Sequence, residues 1–207
     1  MNFPDWMALA AVCLMGAMSP GPSLAVVLRH SLQGGRGAGL AAALSHGLAV
    51  ALYAGLAVSG LLLVVSASSA IFNTLQFAGA LFLVYLGVQS FRSQHGEGQA
   101  DGETQASSLG LAARDGFVVA FLNPKLALFF LALFSQFLSA DTAAGTRLLM
   151  VATMAGIDAG WYAAIALLLA SSSRLAVLQE RRRLISRGFG LLLLALGISM
   201  VYRTLAG

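Results

Sequence analysis

Asp158 lies near the middle of a long apolar run, where an ionised carboxylate is costly unless it faces a partner or a wet path. A carboxylate in that position can meet the ammonium of a small molecule, carry a coupling proton, or simply pair with Lys125 or His46. His46 sits in a second apolar run; histidine changes charge near neutral pH, so this residue either relays protons or hydrogen-bonds a neighbour. Lys125 carries its ammonium on a four-carbon stem, which either contacts a substrate or snorkels to the headgroups. Asp158 and His46 are the residues expected to couple protons.

Two helix-breaking motifs add a second kind of chemistry, Ser19-Pro20-Gly21-Pro22-Ser23 and Asn123-Pro124-Lys125. Proline cannot donate to the carbonyl four residues back, so the carbonyls of Gly16, Met18 and Ala120 are expected to be free to bind a cation or ammonium. A broken helix in hydrocarbon survives only where protein or a wet cavity satisfies its backbone, and paired breaks point to a binding site. New half-helices should begin after the breaks, one capped by Ser19 or Ser23, the other by Asn123 with Pro124 in its first turn. Helix N-termini present free N–H groups and partial positive charge, and so can hold a carboxylate. The expected substrate-binding residues are therefore Ser19, Pro20, Gly21, Pro22, Ser23, Asn123, Pro124, Lys125 and Tyr85. Tyr85, Trp161 and Tyr162 read either as substrate contacts or as packing and interface aromatics.

The elements that must position these residues are membrane helices. Of the 207 residues 58% are hydrophobic and 10% charged, too apolar for the surface of a soluble globule. Windows of about 19 residues give spans at 6–28, 38–60, 71–91, 117–138, 148–170 and 184–202. The fold class expected is all-α, a polytopic membrane protein of six transmembrane helices with helices 1 and 4 broken. Residues 92–114, rich in Gly, Ser, Gln and acids, read as a flexible cytoplasmic linker between a three-helix half at 1–91 and another at 115–207, within one transporter domain. Arg29, Arg36, Arg92, Arg114, Arg174, Arg181, Arg182, Arg183 and Arg187 flank the loops after spans one, three and five, against Arg147 and Arg203 on the other side. The positive-inside rule then makes those loops cytoplasmic and both termini periplasmic. The Arg181, Arg182, Arg183 run reads as a topology signal, with anionic-lipid binding as the other reading.

Counted from the cytoplasmic edges, both breaks lie about seven residues, roughly 10 Å, into their spans, with His46 and Tyr85 near that level. On antiparallel spans such breaks are not strict inverted-repeat mates, but they set two half-helix N-termini face to face across one cavity. Gly156 and Gly160 bracket Asp158 at a spacing that lets a neighbouring helix approach closely, and small-residue faces permit a homodimer. Cys13 is the single cysteine, which leaves no disulfide, dithiol relay or cysteine-based metal site. No Arg or Lys precedes Arg29, so the chain lacks the basic region of a cleaved signal peptide, and the first span is expected to be retained. The basic residues are scattered between apolar runs rather than gathered beside stacking aromatics, which argues against nucleic acid as a partner.

In these residues the chain resembles the LysE/RhtB family of amino acid exporters. Met18-Ser19-Pro20-Gly21-Pro22 and the turn Gly34-Gly35-Arg36-Gly37-Ala38-Gly39-Leu40 are similar to that family's first-span motif and the glycine-rich loop after it. Residues 79–87 resemble its third span, and Gly116-Phe117 through Asn123-Pro124-Lys125, with Phe134-Ser135-Gln136-Phe137 downstream, its fourth; Asp158 falls where the family tends to keep an aspartate. Ser23 departs from the asparagine or aspartate that many members carry. The resemblance implies a bacterial inner-membrane exporter of amino acids or their derivatives, driven by proton antiport with alternating access, with no cofactor. A metal or other small-cation exporter is the alternative, although Asp158, His46 and Cys13 are few ligands for one. An intramembrane enzyme is disfavoured, because the chain has no HExxH or GxSxG motif.

Overall fold

Apolar on nearly every face, these segments can satisfy their backbone polar groups only within themselves, and every described element is an α-helix. A computed structural model describes residues 1–19, 21–92, 108–168 and 172–206. Pro20 and most of the expected linker, residues 93–107, lie outside the described residues, as do the side chains of Arg181, Arg182 and Arg183. The helices are α1 (Phe3–Met18), α2 (Pro22–Ala67), α3 (Ser69–Arg92), α4 (Leu109–Phe121), α5 (Pro124–Ser135), α6 (Ala144–Leu168) and α7 (Ser172–Ala206).

Four stretches are long and apolar enough to cross a membrane, Pro22–Ala67, Ser69–Phe91, Ala144–Leu168 and Leu184–Tyr202. The pair α4 and α5, bent by 55°, supplies a fifth if taken as one broken span. The difference from six spans arises at the first. Its helix is cut after Met18, and the 16 residues of α1 cover about 24 Å, short of the roughly 30 Å hydrocarbon core. The chain then re-enters helix at Pro22 and continues, through a kink at Gly35 (φ +73°, ψ −171°), to Ala67. A positive φ is open to glycine without steric cost, so Gly35 lets the two arms of α2 fold back on each other.

These boundaries set the length of helix beyond each break. The arm after the first break runs over residues 22–34, and the helix before the second begins at Leu109, where Ser108 caps it by accepting from the Leu111 N–H at 3.2 Å. Both breaks thus stand about 13 residues, or roughly 20 Å, from the far ends of these half-helices. The expected linker also ends sooner, since residues 109–114 are helical.

Glycines set the closest helix contacts. A Cβ at Gly47 would sit 2.6 Å from Ala159 Cβ, one at Gly87 2.9 Å from the Gly190 carbonyl, and one at Gly116 would collide with the Ala42 carbonyl. These contacts join α2 to α6, α3 to α7 and α4 to the second arm of α2. Gly156 and Gly160 behave otherwise: among the described residues nothing lies within 4 Å of a Cβ at either, so the expected close approach of a helix there is not made by them. Trp6 Nε1 donates to Thr153 Oγ1 at 3.0 Å and pins α1 to α6.

Candidate functional site

Met154, Asp158 and Tyr162 recur every four residues on α6 and are buried along one stripe. The Gly47 and Ala159 contact brings α2 against that stripe, and the adjacent residues, His46 and Asp158, meet: Nδ1 of His46 lies 2.7 Å from Oδ2 of Asp158. A carboxylate opposite Nδ1 selects the tautomer in which Nδ1–H donates. His46 is 1% exposed, and its Nε2 has no hydrogen-bond partner among the described residues. Tyr162 packs edge-on to the imidazole, with ring centroids 4.9 Å apart.

The two half-helix starts converge on the same place. Asn123 caps α5, its side-chain oxygen accepting from the N–H groups of Lys125 (3.0 Å) and Leu126 (3.3 Å), with Pro124 in the first turn. Such a cap contributes about 1 kcal/mol. At the other break Gly21, in extended conformation, is the N-cap and Pro22 opens the helix; neither Ser19 nor Ser23 caps it. The carbonyls expected to be free are largely taken up locally. Gly16 O accepts from the Ser19 N–H at 3.1 Å and Ala120 O from the Asn123 N–H at 3.3 Å. Tightening the last turn in this way is a common solution at helix C-termini. Cation binding at these two oxygens is therefore not supported; at α5 the Asn123 cap occupies the first N–H groups, whereas at the other break no side chain caps the N–H groups of Ser23 and Leu24.

A cavity of about 100 Å³ joins these features, with room for several waters or one small ligand. Ser19, Gly21, Pro22, Ser23, Asn123 and Lys125 line it, together with His46 and Asp158. Tyr162 also lines it, and the rest of the wall is mainly apolar, built from Leu86, Leu126, Phe129, Phe130, Met154 and Phe189. Pro124 lies beside the cavity without lining it. Tyr85 is elsewhere: 54% exposed on the outer face of α3, it contacts Gln89 and Phe82 and contributes nothing to the cavity. Cys13 does line the cavity, one turn before Gly16 and Ala17 on α1.

A second polar cluster escaped the reading of the sequence. Arg29 pairs with Asp115, and His30 Nε2 lies 3.0 Å from the same carboxylate oxygen. His30 is fully buried, whereas Arg29 and Asp115 are about a quarter exposed. In the sequence Arg29 reads only as a topology signal. The available clue was an acid, Asp115, at the foot of an apolar run directly before a glycine.

Residues 14–204 match the family described as LysE type translocator. The chain is similar to an uncharacterized membrane protein, YrhP, of Bacillus subtilis (strain 168), at 25% identity over 72% of this chain and 74% of the relative. It is similar to the leucine efflux protein of Enterobacter sp. (strain 638), at 27% identity over 84% of this chain and 82% of the relative. The leucine efflux protein of Salmonella typhimurium is 28% identical over 58% of this chain, and that match spans just over half the relative's length, 56%. No solved structure matches significantly.

Proposed function

Because the chain belongs to the LysE type translocator family, we propose that it exports apolar amino acids across the bacterial inner membrane by alternating access, in exchange for protons. The single observation that carries this reading is the cavity, in which two helix N-termini, an acid–imidazole pair and an apolar wall face one small volume. In this reading α1 with residues 22–34 makes the first of six spans, α4 with α5 the fourth, and both termini are periplasmic. The two three-helix halves, 1–91 and 115–207, then form one transport domain joined by a cytoplasmic linker.

Each wall has a role that follows from its chemistry. The uncapped N–H groups at the start of residues 22–34, helped by the positive end of the α5 dipole and the Lys125 ammonium, hold the substrate carboxylate. Asp158 holds the substrate ammonium. Phe129, Phe189 and Leu86 give a hydrocarbon side chain an apolar surface and give a second charge no partner, which favours a leucine-like substrate over lysine. The leucine efflux names of the Salmonella and Enterobacter relatives support the same class.

Coupling follows from competition for one carboxylate. With Nδ1–H donated to Asp158, the Nε2 lone pair of His46 takes the incoming proton. The imidazolium then neutralises Asp158, and the substrate ammonium loses its counter-charge and leaves. Loss of that proton on the cytoplasmic side restores the carboxylate for the next substrate. A cation exporter is less well supported, since among the described residues no three His, Cys, Asp or Glu side chains are grouped to hold a metal. The family and the efflux relatives point away from an enzyme.

The test is flux in purified proteoliposomes loaded with labelled leucine. Efflux is expected to exceed that of protein-free vesicles, to accelerate when the medium is acidified, and to be inhibited by internal isoleucine but not by lysine. Efflux equal to that of protein-free vesicles would remove this reading.

A further inference from the structure

We propose that residues 22–34 are the gate of the cavity on the side the positive-inside rule makes cytoplasmic, held shut by a latch in which Arg29 and His30 both engage Asp115. The direction of opening rests on the export reading above; the latch itself rests on geometry.

The arm is bounded by two joints. Gly21 at its start is extended (φ −167°, ψ −172°) and makes no side-chain cap, and Gly35 at its end holds the positive φ of the kink. Between them Leu24, Val27, His30 and Ser31 form its buried stripe. The surface beneath combines alanines, Ala38, Ala42, Ala112 and Ala166, with Tyr162 and Ile165, and Ser31 seats against Gly39. Alanines and a glycine offer few side-chain atoms for interlocking contact, so much of this seat is smooth.

The polar contact supplies the fastening. Asp115 belongs to α4, which is fixed to the other arm of α2 where Gly116 presses on the Ala42 carbonyl. On that anchored carboxylate, Arg29 and His30 converge from the movable arm. Because Arg29 and Asp115 are partly exposed, water can take over their charges when the pair parts. Gly21, Pro22 and Ser23 wall the cavity, so a swing of the arm about its joints opens that wall toward the latch. The other half-helix, α5, ends in a neutral fastening: Gln76 Nε2 donates to the Ser135 carbonyl at 2.6 Å, and Gln136 Nε2 to the Gln76 carbonyl at 3.0 Å. A change of charge at Asp115 therefore acts on one end of the cavity alone.

Cys13, the sole cysteine and a cavity residue, reports access directly. The full chain is placed in vesicles of known sidedness, and a membrane-impermeant methanethiosulfonate is added on either face. Asp115→Asn is expected to raise the rate of Cys13 modification from the Arg29 side about tenfold, as the loss of one partly buried ion pair shifts a two-state equilibrium. The rate from the opposite face should not change. Asp115→Glu, which keeps the carboxylate, should stay close to wild type. An unchanged rate in Asp115→Asn, an equal rise from both faces, or an Asp115→Glu as fast as Asp115→Asn would each overturn the latch. Modification reads access without export, so the gate can fail while the flux assay succeeds, and the reverse.

Discussion

Asp158→Asn is expected to abolish the response of leucine efflux to an imposed proton gradient, with a fall of about 100-fold in gradient-driven export, which corresponds to roughly 3 kcal/mol. Asparagine can still accept from His46 Nδ1–H at the site where the carboxylate now lies 2.7 Å away, so the helices have the same polar contact to pack around. What disappears is the negative charge for which the substrate ammonium and the imidazolium compete. Downhill leucine exchange should persist at reduced affinity, while its dependence on pH flattens. His46→Gln should flatten the pH dependence as well, because glutamine keeps a polar group beside Asp158 but takes up no proton. The measurement is leucine efflux from vesicles across a series of pH gradients, with chromatography in detergent to establish folding. A preserved gradient response in Asp158→Asn would take this residue out of coupling.

The second large effect concerns the bend between α4 and α5. Pro124→Ala alone returns one N–H donor, but Ala120 O already accepts from Asn123, and the Asn123 side chain still caps α5. Its effect should be a few-fold loss of export. Asn123→Leu with Pro124→Ala removes the cap, worth about 1 kcal/mol, together with a helix breaker worth about 3 kcal/mol. The 55° bend is then expected to straighten into one helix over residues 109–135, and the α5 N-terminus no longer faces the cavity. Export should fall to background while the protein still inserts, which membrane fractionation checks alongside the flux assay. Normal export by the double variant would mean that the bend does not serve transport.

The features legible in the sequence were those whose physics is local. A proline removes an N–H wherever it stands, so both breaks and the Asn123 cap could be read before any packing was known. Asp158 and His46 were each conspicuous as polar residues in apolar runs, but their pairing depends on α2 crossing α6 at Gly47 and Ala159, which no spacing along one chain encodes. Tyr85 was misplaced for a related reason. In a helix apolar on every side, lipid-facing and protein-facing positions look alike, and its level along α3 was inferable while its direction was not. The same lack of contrast hid Phe129 and Phe189 as cavity walls, and made Gly156 and Gly160 look like an internal contact. Ser108 did signal a helix start by its type, yet it lay at the end of a polar tract whose composition read as linker. Arg29 was counted for its charge and the side it marks, which concealed its bond to Asp115 86 residues away.

Protection of Cys13 tests most directly whether the cavity is the transport site, since this lone cysteine lies in its wall beside Gly16 and Ala17. In purified protein, leucine is expected to slow modification of Cys13 by a small methanethiosulfonate in a saturable manner, with lysine ineffective and the protection lost in Asp158→Asn. Modification that proceeds at one rate with and without saturating leucine, in protein that exports leucine, would place the substrate elsewhere and contradict the cavity as its site.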